Sequence, residues 1–201
     1  MLKDILDKLG GINQTRDKLI PKLIKELNYT TILEIGTDVG DFAKHILNGY
    51  DKIERYFVID PYIDNFGSDP TKYDKSGEAR YLKCNENLQE HIQKLKCYKC
   101  KSSEALKIYK DGEVDFIWID GDHSLAGVYT DLRWWKYLKI GGIMAFHDLK
   151  DGANSGMTGL DGKQIDYGVL PVYKYFWQKY ALEHYEAGKL LKYGIIYKDK
   201  K

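Results

Sequence analysis

The sequence predicts a doubly wound α/β fold, in which helices cover both faces of an open, largely parallel sheet. From residue 30 onward, short β-rich runs alternate with stretches of helical length, which is typical of parallel strands joined by crossover helices. No internal repeat or compositional break divides the 201 residues, which are enough for one sizeable core. We therefore expect a single domain.

The predicted elements follow in order along the chain. Leu2, Ile5, Leu6 and Leu9 have helical spacing up to Gly10, and a second helical pattern covers residues 19–27, so residues 1–28 form two N-terminal helices. Strands are predicted at 30–36, 54–60, 96–100, 114–120 and 142–148. The helices between them are marked by Phe42/Ile46/Leu47, Leu88/Ile92/Leu95 and Leu125/Val128/Leu132/Trp135. Residues 168–201 are expected to add a helix and a hairpin-like strand pair that closes the sheet.

The charge balance limits the classes of partner. Thirty-one basic and thirty acidic residues leave a net charge of +1, so the composition gives no footprint for nucleic acid or anionic membrane. The N-terminus lacks the apolar region of a signal peptide, and no segment has about 18 uninterrupted apolar residues. We expect a cytoplasmic protein that contacts no membrane; its oligomeric state stays open, and a homo-oligomer is compatible with the sequence.

The cysteines offer one alternative site. Cys97 and Cys100 form a C-x-x-C pair, a spacing found in zinc and redox centres. No second pair supplies the remaining zinc ligands, and residues three apart on a strand point to opposite faces. We interpret these two residues and Cys84 as core or surface thiols.

Two long polar connections follow predicted strands. Residues 61–76 and 149–167 carry Gly or Pro and leave the carboxyl edge of the sheet, where doubly wound folds bind ligands. We predict that they cover a site, and 149–167 is the predicted lid. Disordered surface insertions are the alternative.

The turn after the first strand carries an E-x-G-x-x-x-G pattern formed by Glu34, Gly36 and Gly40. It lies between a strand and a helix, the context in which such a turn binds a ligand. Asp38 stands where a dinucleotide fold has its second glycine, and its carboxylate would repel a diphosphate. NAD and FAD are therefore disfavoured, whereas an adenosine ligand without phosphates is not.

Polar residues follow the next two strands. Asp60 ends the second strand, where an acid can accept hydrogen bonds from a ribose diol. Ser102 and Ser103 follow the third strand, where they could meet an adenine edge. Each signal taken alone also has an ordinary explanation, since glycine turns are common and acids often cap helices.

Taken in this order, the motifs "LEIGTDVG", "VID", "KSSEAL", "DFIWIDGDH" and "GGIMAFHD" resemble class I S-adenosylmethionine-dependent methyltransferases over residues 30–150. The resemblance implies a Rossmann-like seven-stranded sheet with a reversed last hairpin. It also implies S-adenosylmethionine as cofactor, bound by Glu34, Gly36, Thr37, Gly40, Asp60, Ser102, Ser103 and Asp120.

A cluster of acids and histidines follows the fourth and fifth strands. Asp120, Asp122 and His123 come after the fourth strand, and His147 and Asp148 end the fifth. Neighbouring carboxylates raise one another's pKa unless a cation neutralises them, and a divalent metal would do so. The alternative is that Asp122 and His123 cap the next helix and Asp148 starts a loop.

The cluster resembles metal-dependent O-methyltransferases that act on sugar hydroxyls of natural products, and also the cephalosporin-hydroxylase-type group. The resemblance implies that Asp120 binds the metal and shares in catalysis, that His123 is the general base, and that His147 and Asp148 complete the metal site. Mg²⁺ or Mn²⁺ is expected. His147 stands where an acid is common, and imidazole suits Mn²⁺ or Zn²⁺ better than Mg²⁺.

The predicted function is therefore O-methylation of a hydroxyl on a small molecule, with a sugar as one candidate acceptor. A nucleic-acid methyltransferase is less favoured, because "DGDH" replaces the N-P-P-Y-like turn of amino-directed base methylation. A dinucleotide oxidoreductase is opposed by Asp38. A non-catalytic S-adenosylmethionine-binding protein remains the alternative from another class; it would need Gly36 and Asp60 but not His123.

Overall fold

The computed structural model describes residues 2–64, 76–149, 168–188 and 193–199. Seven strands form one sheet: β1 (Thr31–Ile35), β2 (Arg55–Ile59), β3 (Leu95–Tyr98), β4 (Val114–Ile119), β5 (Leu138–Phe146), β6 (Glu183–Ala187) and β7 (Tyr193–Tyr197). Their order is β3-β2-β1-β4-β5-β7-β6. Strands β1 to β5 are parallel, and β7 runs antiparallel to both of its neighbours. The predicted doubly wound fold with a reversed last hairpin is confirmed.

Helices cover both faces of this sheet. They are α1 (Leu2–Lys8), α2 (Arg16–Glu26), α3 (Asp41–Gly49), α4 (Gly77–Leu88), α5 (Ser102–Ile108), α6 (Leu125–Asp131) and α7 (Val169–Tyr180). Alternate strand residues point to opposite faces, so Ile32 joins the core under α1 to α4, whereas Leu33 joins the core under α5 to α7. Both residues are fully buried.

One predicted helix is wrong. The spacing of Leu88, Ile92 and Leu95 predicted a helix, but α4 ends at Leu88, a 3₁₀ helix covers Gln89–Lys94, and Leu95 begins β3. Ile92 is 57% exposed, so it does not pack against the core as the predicted helix required. Strand β5 also begins four residues before the predicted 142.

The sheet places a crevice at the carboxyl ends of β1 and β4. Strands β2 and β3 follow on one side of β1, and β4 and β5 follow on the other. A ligand cleft is expected at this point, where the strand order reverses. The predicted covering segments 61–76 and 149–167 lie mostly outside the described residues. Among the residues that are described, no helix has both the length and the apolar character that a membrane crossing requires.

Candidate active site

The turn after β1 depends on glycine at position 36. Gly36 has φ +84°, and a Cβ built there would lie 2.1 Å from the carbonyl oxygen of Asp120. No side chain fits in that space, because the tips of β1 and β4 are in backbone contact. Gly40, with φ +79°, packs against α4, where a Cβ would lie 3.0 Å from Cys84 Sγ. Close approach therefore requires glycine at position 36, and the positive φ favours glycine at position 40.

Asp38 is paired in the folded protein. Its Oδ1 lies 3.0 Å from a guanidinium nitrogen of Arg80 on α4, and its φ of +50° lies in the left-handed region that Asp tolerates better than most residues. The repulsion of a diphosphate predicted from Asp38 is therefore weaker than expected, because Arg80 offsets its charge. Sequence reasoning missed Arg80, since the segment before it gave no pattern.

Asp60 lies where the ribose acid was predicted, at the tip of β2. Its Oδ2 accepts the backbone N–H of Asp38 at 3.0 Å, and its Oδ1 accepts that of Tyr62 at 2.8 Å. Burial raises the pKa of Asp60, while these two N–H donors act in the opposite direction. The carboxylate keeps further lone pairs for a ligand, since each carboxylate oxygen can accept two hydrogen bonds.

Glu34 is held in the interior. It is 1% exposed, and its Oε2 accepts a hydrogen bond of 2.5 Å from the Tyr56 hydroxyl. Burial raises the pKa of Glu34 to about 8, and the hydrogen bond from Tyr56 only partly opposes this. Burial therefore favours the neutral form of Glu34 in the folded protein.

The two serines after β3 differ in their surroundings. The hydroxyl of Ser102 accepts a hydrogen bond from Trp134 Nε1 at 2.8 Å and bonds to the buried Asp131, whose pKa burial raises to about 7. Ser102 is thus part of a packed network. Ser103 is half-buried at the start of α5. Both serines are half-buried, and the hydroxyl of Ser102 already has partners within the protein.

Asp120 is the centre of the predicted cluster. Its Oδ1 lies 2.8 Å from His147 Nδ1 and 3.3 Å from His123 Nε2. Its Oδ2 lies 2.8 Å from a guanidinium nitrogen of Arg16, at the start of α2. The structure therefore brings together the predicted Asp120, His123 and His147. It adds Arg16, which no sequence motif indicated.

Charge explains why such a cluster is stable. Burial would raise the pKa of Asp120, but the charge of His147, hydrogen bonds from both histidines and the charge of Arg16 hold it well below its usual value. Burial would lower the pKa of His123, and the hydrogen bond and charge of Asp120 outweigh burial and raise it. An ionised acid thus stabilises protonated His123.

Helix capping accounts for Asp122 but not for His123. Ser124 caps α6, with its hydroxyl accepting the Gly127 N–H at 3.1 Å. Asp122 Oδ1 accepts the Ser124 N–H at 2.9 Å, and Asp122 is exposed. The His123 ring is instead turned toward Asp120, with 11% of its side chain exposed.

The donor set fits a divalent metal ion. Asp120, His123 and His147 offer ligand atoms within 4.8 Å of one another, and His147 Nε2 is buried with no hydrogen-bond partner in the described part of the chain. Asp148, with φ +48°, lies beside this group: its Oδ1 is 3.7 Å from His147 Nδ1. One carboxylate and two imidazoles suit a transition metal better than Mg²⁺.

The cysteines belong to no metal-ligand cluster within the described residues. Cys84 is buried, Cys97 is exposed, Cys100 is intermediate, and all three are free thiols. Strand β3 ends at Tyr98, so Cys100 lies beyond it. The interpretation of these residues as core or surface thiols agrees with their burial.

The class of the protein follows from a family match. Residues 33–149 match the model of a family described as a methyltransferase domain. The match spans more than half of the chain, so the chain belongs to this family and is a methyltransferase, as the motifs predicted. No sequence among curated proteins matches it significantly.

Solved structures share the fold at low identity. A candidate caffeoyl-CoA O-methyltransferase from Staphylococcus aureus is 17% identical, with a TM-score of 0.68 over 95% of this chain and 87% of that chain. An O-methyltransferase of tomaymycin synthesis from Streptomyces achromogenes, in complex with SAM, is 13% identical, with a TM-score of 0.63 over 98% and 87%. An O-methyltransferase from Bacillus cereus, in complex with SAH, is 15% identical, with a TM-score of 0.59 over 96% and 86%.

Proposed function

We propose that the protein is an S-adenosylmethionine-dependent O-methyltransferase that methylates a hydroxyl group of a small molecule, with a sugar as one candidate acceptor. The observation that carries this proposal is the contact of His123 with ionised Asp120 at the tip of β4, beside the glycine turn. A proton acceptor at that position is what a hydroxyl substrate requires. The O-methyltransferases with the same fold support it.

The turn after β1 fits the cofactor. Gly36 keeps the strand tips free of side chains, and Thr37 Oγ1 is buried without a hydrogen-bond partner among the described residues. A polar ligand group that bonds Thr37 would remove the cost of that buried hydroxyl. Asp60 would accept the ribose hydroxyls, and Ser103 would lie near adenine. When bound, the cofactor supplies an electrophilic methyl group on a sulfonium.

His123 would take the acceptor proton. The imidazole would take the hydroxyl proton of the acceptor as the acceptor oxygen is methylated, and the sulfur would keep the electron pair of the carbon–sulfur bond. Asp120 would stabilise the imidazolium and fix the orientation of the ring. Only neutral His123 can accept the proton, so the raised pKa of His123 moves the onset of activity to a higher pH than an ordinary imidazole would give.

Asp120 and His147 would hold a divalent ion, with Asp148 beside them, leaving His123 as the base. Such an ion would lower the pKa of the acceptor hydroxyl, and the imidazole of His147 favours Mn²⁺ over Mg²⁺ in this role. Arg16 lies 2.8 Å from Asp120 Oδ2, so part of the charge of Asp120 is compensated by the protein itself.

The rival function is a protein that binds S-adenosylmethionine without turnover. Incubation with methyl-labelled S-adenosylmethionine and a panel of sugar and phenol acceptors separates the two functions. Label transfer that disappears in His123→Ala supports the enzyme. Cofactor binding with no transfer to any acceptor would favour the binding protein, and no binding at all would overturn both.

A further inference from the structure

We propose that Arg80 is a positioning residue for cofactor binding: it ties together the two turns that orient Asp60 toward the ribose. This inference rests on the proposed function, because it assumes that the ligand of Asp60 is the ribose diol of S-adenosylmethionine. Arg80 lies on α4, outside every motif of the sequence.

Arg80 bridges two segments that are separate in the sequence, the turn after β1 and the segment after β2. One guanidinium nitrogen lies 3.0 Å from Asp38 Oδ1, in the turn after β1. Another donates to the carbonyl oxygen of Ile63 at 2.6 Å, in the segment after β2. The side chain is 8% exposed, so the guanidinium is fixed by partners on both sides.

Those two segments are the ones that hold Asp60. The backbone N–H of Asp38 donates to Asp60 Oδ2, and that of Tyr62 donates to Oδ1. The direction of the carboxylate therefore depends on how the two turns are spaced. Arg80 sets that spacing, because its planar fork reaches one acceptor in each turn; the point charge of a lysine would lack this geometry.

The base of α4 is docked against the same segment. A Cβ on Gly77 would lie 1.6 Å from the carbonyl oxygen of Tyr62, and the Gly77 N–H donates to Asp64 Oδ1 at 2.7 Å. Helix α4 thus starts in direct contact with the chain that follows Asp60. Arg80, one turn further along, extends this contact to the turn after β1.

The test measures binding of two probes by calorimetry: S-adenosylhomocysteine and its 2′,3′-dideoxyribose analogue. Arg80→Lys should weaken S-adenosylhomocysteine binding about tenfold and leave the weaker binding of the analogue within about twofold, because only the diol uses Asp60. Asp38→Asn should act in the same direction, since it keeps the backbone donor to Asp60 and Asn tolerates the left-handed region. Asp38→Asn therefore tests the proposal even if Arg80→Lys fails to fold.

Arg55→Lys is the matched control. Arg55 lies at the opposite end of β2 from Asp60 and donates to the Asp111 carbonyl, so both probes should bind this variant as they bind the wild type. Equal losses of both probes in Arg80→Lys and Asp38→Asn would mean a general structural role, and unchanged binding would mean no role; either result overturns the proposal. If the wild type binds neither probe, the proposed function fails and the inference fails with it.

Discussion

The guanidinium of Arg16 lies 2.8 Å from Oδ2 of Asp120, although 104 positions separate the two residues in the chain. Arg16 also lies over the rings of Phe42 and Trp118, at 5.1 and 5.9 Å from their centroids. The N-terminal helices are therefore part of the site: one of them supplies the cation that faces the acid at the tip of β4.

Replacing Arg16 should slow the reaction. Arg16→Met removes a charged hydrogen bond to Asp120, and such a bond is worth about 1.5–3 kcal/mol, so we expect kcat to fall about ten- to a hundredfold, with a smaller effect on S-adenosylhomocysteine affinity. Steady-state kinetics with Arg133→Met, at an exposed arginine, as control measure this. A normal kcat in Arg16→Met would show that turnover does not depend on the contact between Arg16 and Asp120.

Removal of His123 should abolish most turnover. If His123 is the base, His123→Ala should lower kcat by about 10² to 10⁴, with cofactor affinity and melting temperature nearly unchanged. His147→Ala is the comparison, since His147 contacts the same carboxylate oxygen. The roles are reversed if His147→Ala abolishes turnover and His123→Ala does not.

The pH profile gives a second measurement on the same residue. The pKa of His123 is raised above its ordinary 6.5, and the neutral form is the base, so kcat should rise with pH through a value above 6.5 and then level off. Asp120→Asn removes the charge that raises this pKa and should move the profile to lower pH. A rate that falls as pH rises through this region would contradict the assignment.

Metal binding can be tested without turnover. Calorimetric titration of the protein with Mn²⁺ should give binding that Asp120→Asn and His147→Ala lose, because each removes one ligand atom. His91→Ala, at a histidine that contacts Asn48, should bind as the wild type does. Full activity in EDTA, together with no Mn²⁺ binding, would leave Arg16 as the cation of the site.

Asp60 should contribute strongly to cofactor affinity. Asp60→Ala removes the acceptor of two ribose hydrogen bonds, so S-adenosylhomocysteine should bind about ten- to a hundredfold more weakly, or about 1.5–3 kcal/mol. Asp60→Asn, which keeps one acceptor oxygen, should lose less. Calorimetry that finds equal affinity in the wild type and Asp60→Ala would exclude the ribose contact.

Glu34 should make the protein less stable as pH rises. Its pKa is 4.5 when unperturbed and about 8 in the folded protein, so between these values the folded state keeps a proton that the unfolded chain releases. The stability from Glu34 is complete below pH 4.5 and is lost as pH rises to about 8. Glu34→Gln, which resembles the neutral acid, should flatten the fall in melting temperature over this range.

The comparison for that measurement is Asp131→Asn. The pKa of Asp131 is raised to about 7, so this variant should flatten the curve over a lower range. If the melting temperature of Glu34→Gln follows the wild-type curve from pH 5 to 9, then Glu34 is ionised in the folded state and the interior assignment is wrong.

The sequence predicted the sheet well because buried parallel strands are apolar runs, and β1, β2 and β4 lie within one residue of the predicted ends. It predicted the meeting of Asp120 and His147 for a related reason: neighbouring strands in a parallel sheet bring their tips together. Helix α4 was missed because its residues, GEARYLKCNENL, are mostly polar and carry no continuous apolar stripe.

Arg16 and Arg80 could not be predicted. Each contacts its partner from a helix packed on the sheet, across 104 and 42 positions respectively. Local periodicity in the sequence does not predict how helices pack, so these contacts gave no signal. The contacts of Glu34 with Tyr56 and of Ser102 with Trp134 could not be predicted for the same reason, because they depend on strand and helix neighbours that no motif contains.

The contact of Gly36 with the backbone of Asp120 has a consequence for folding. The Asp120 N–H donates to the carbonyl oxygen of Ile35 at 2.8 Å, so the two halves of the site exist only after β1 has paired with β4, a strand that follows some 80 residues later. Pairing across such a distance is a slow event in folding. A nascent or partly folded chain therefore has no cleft, and any ligand that binds there stabilises only molecules in which the central pair has closed.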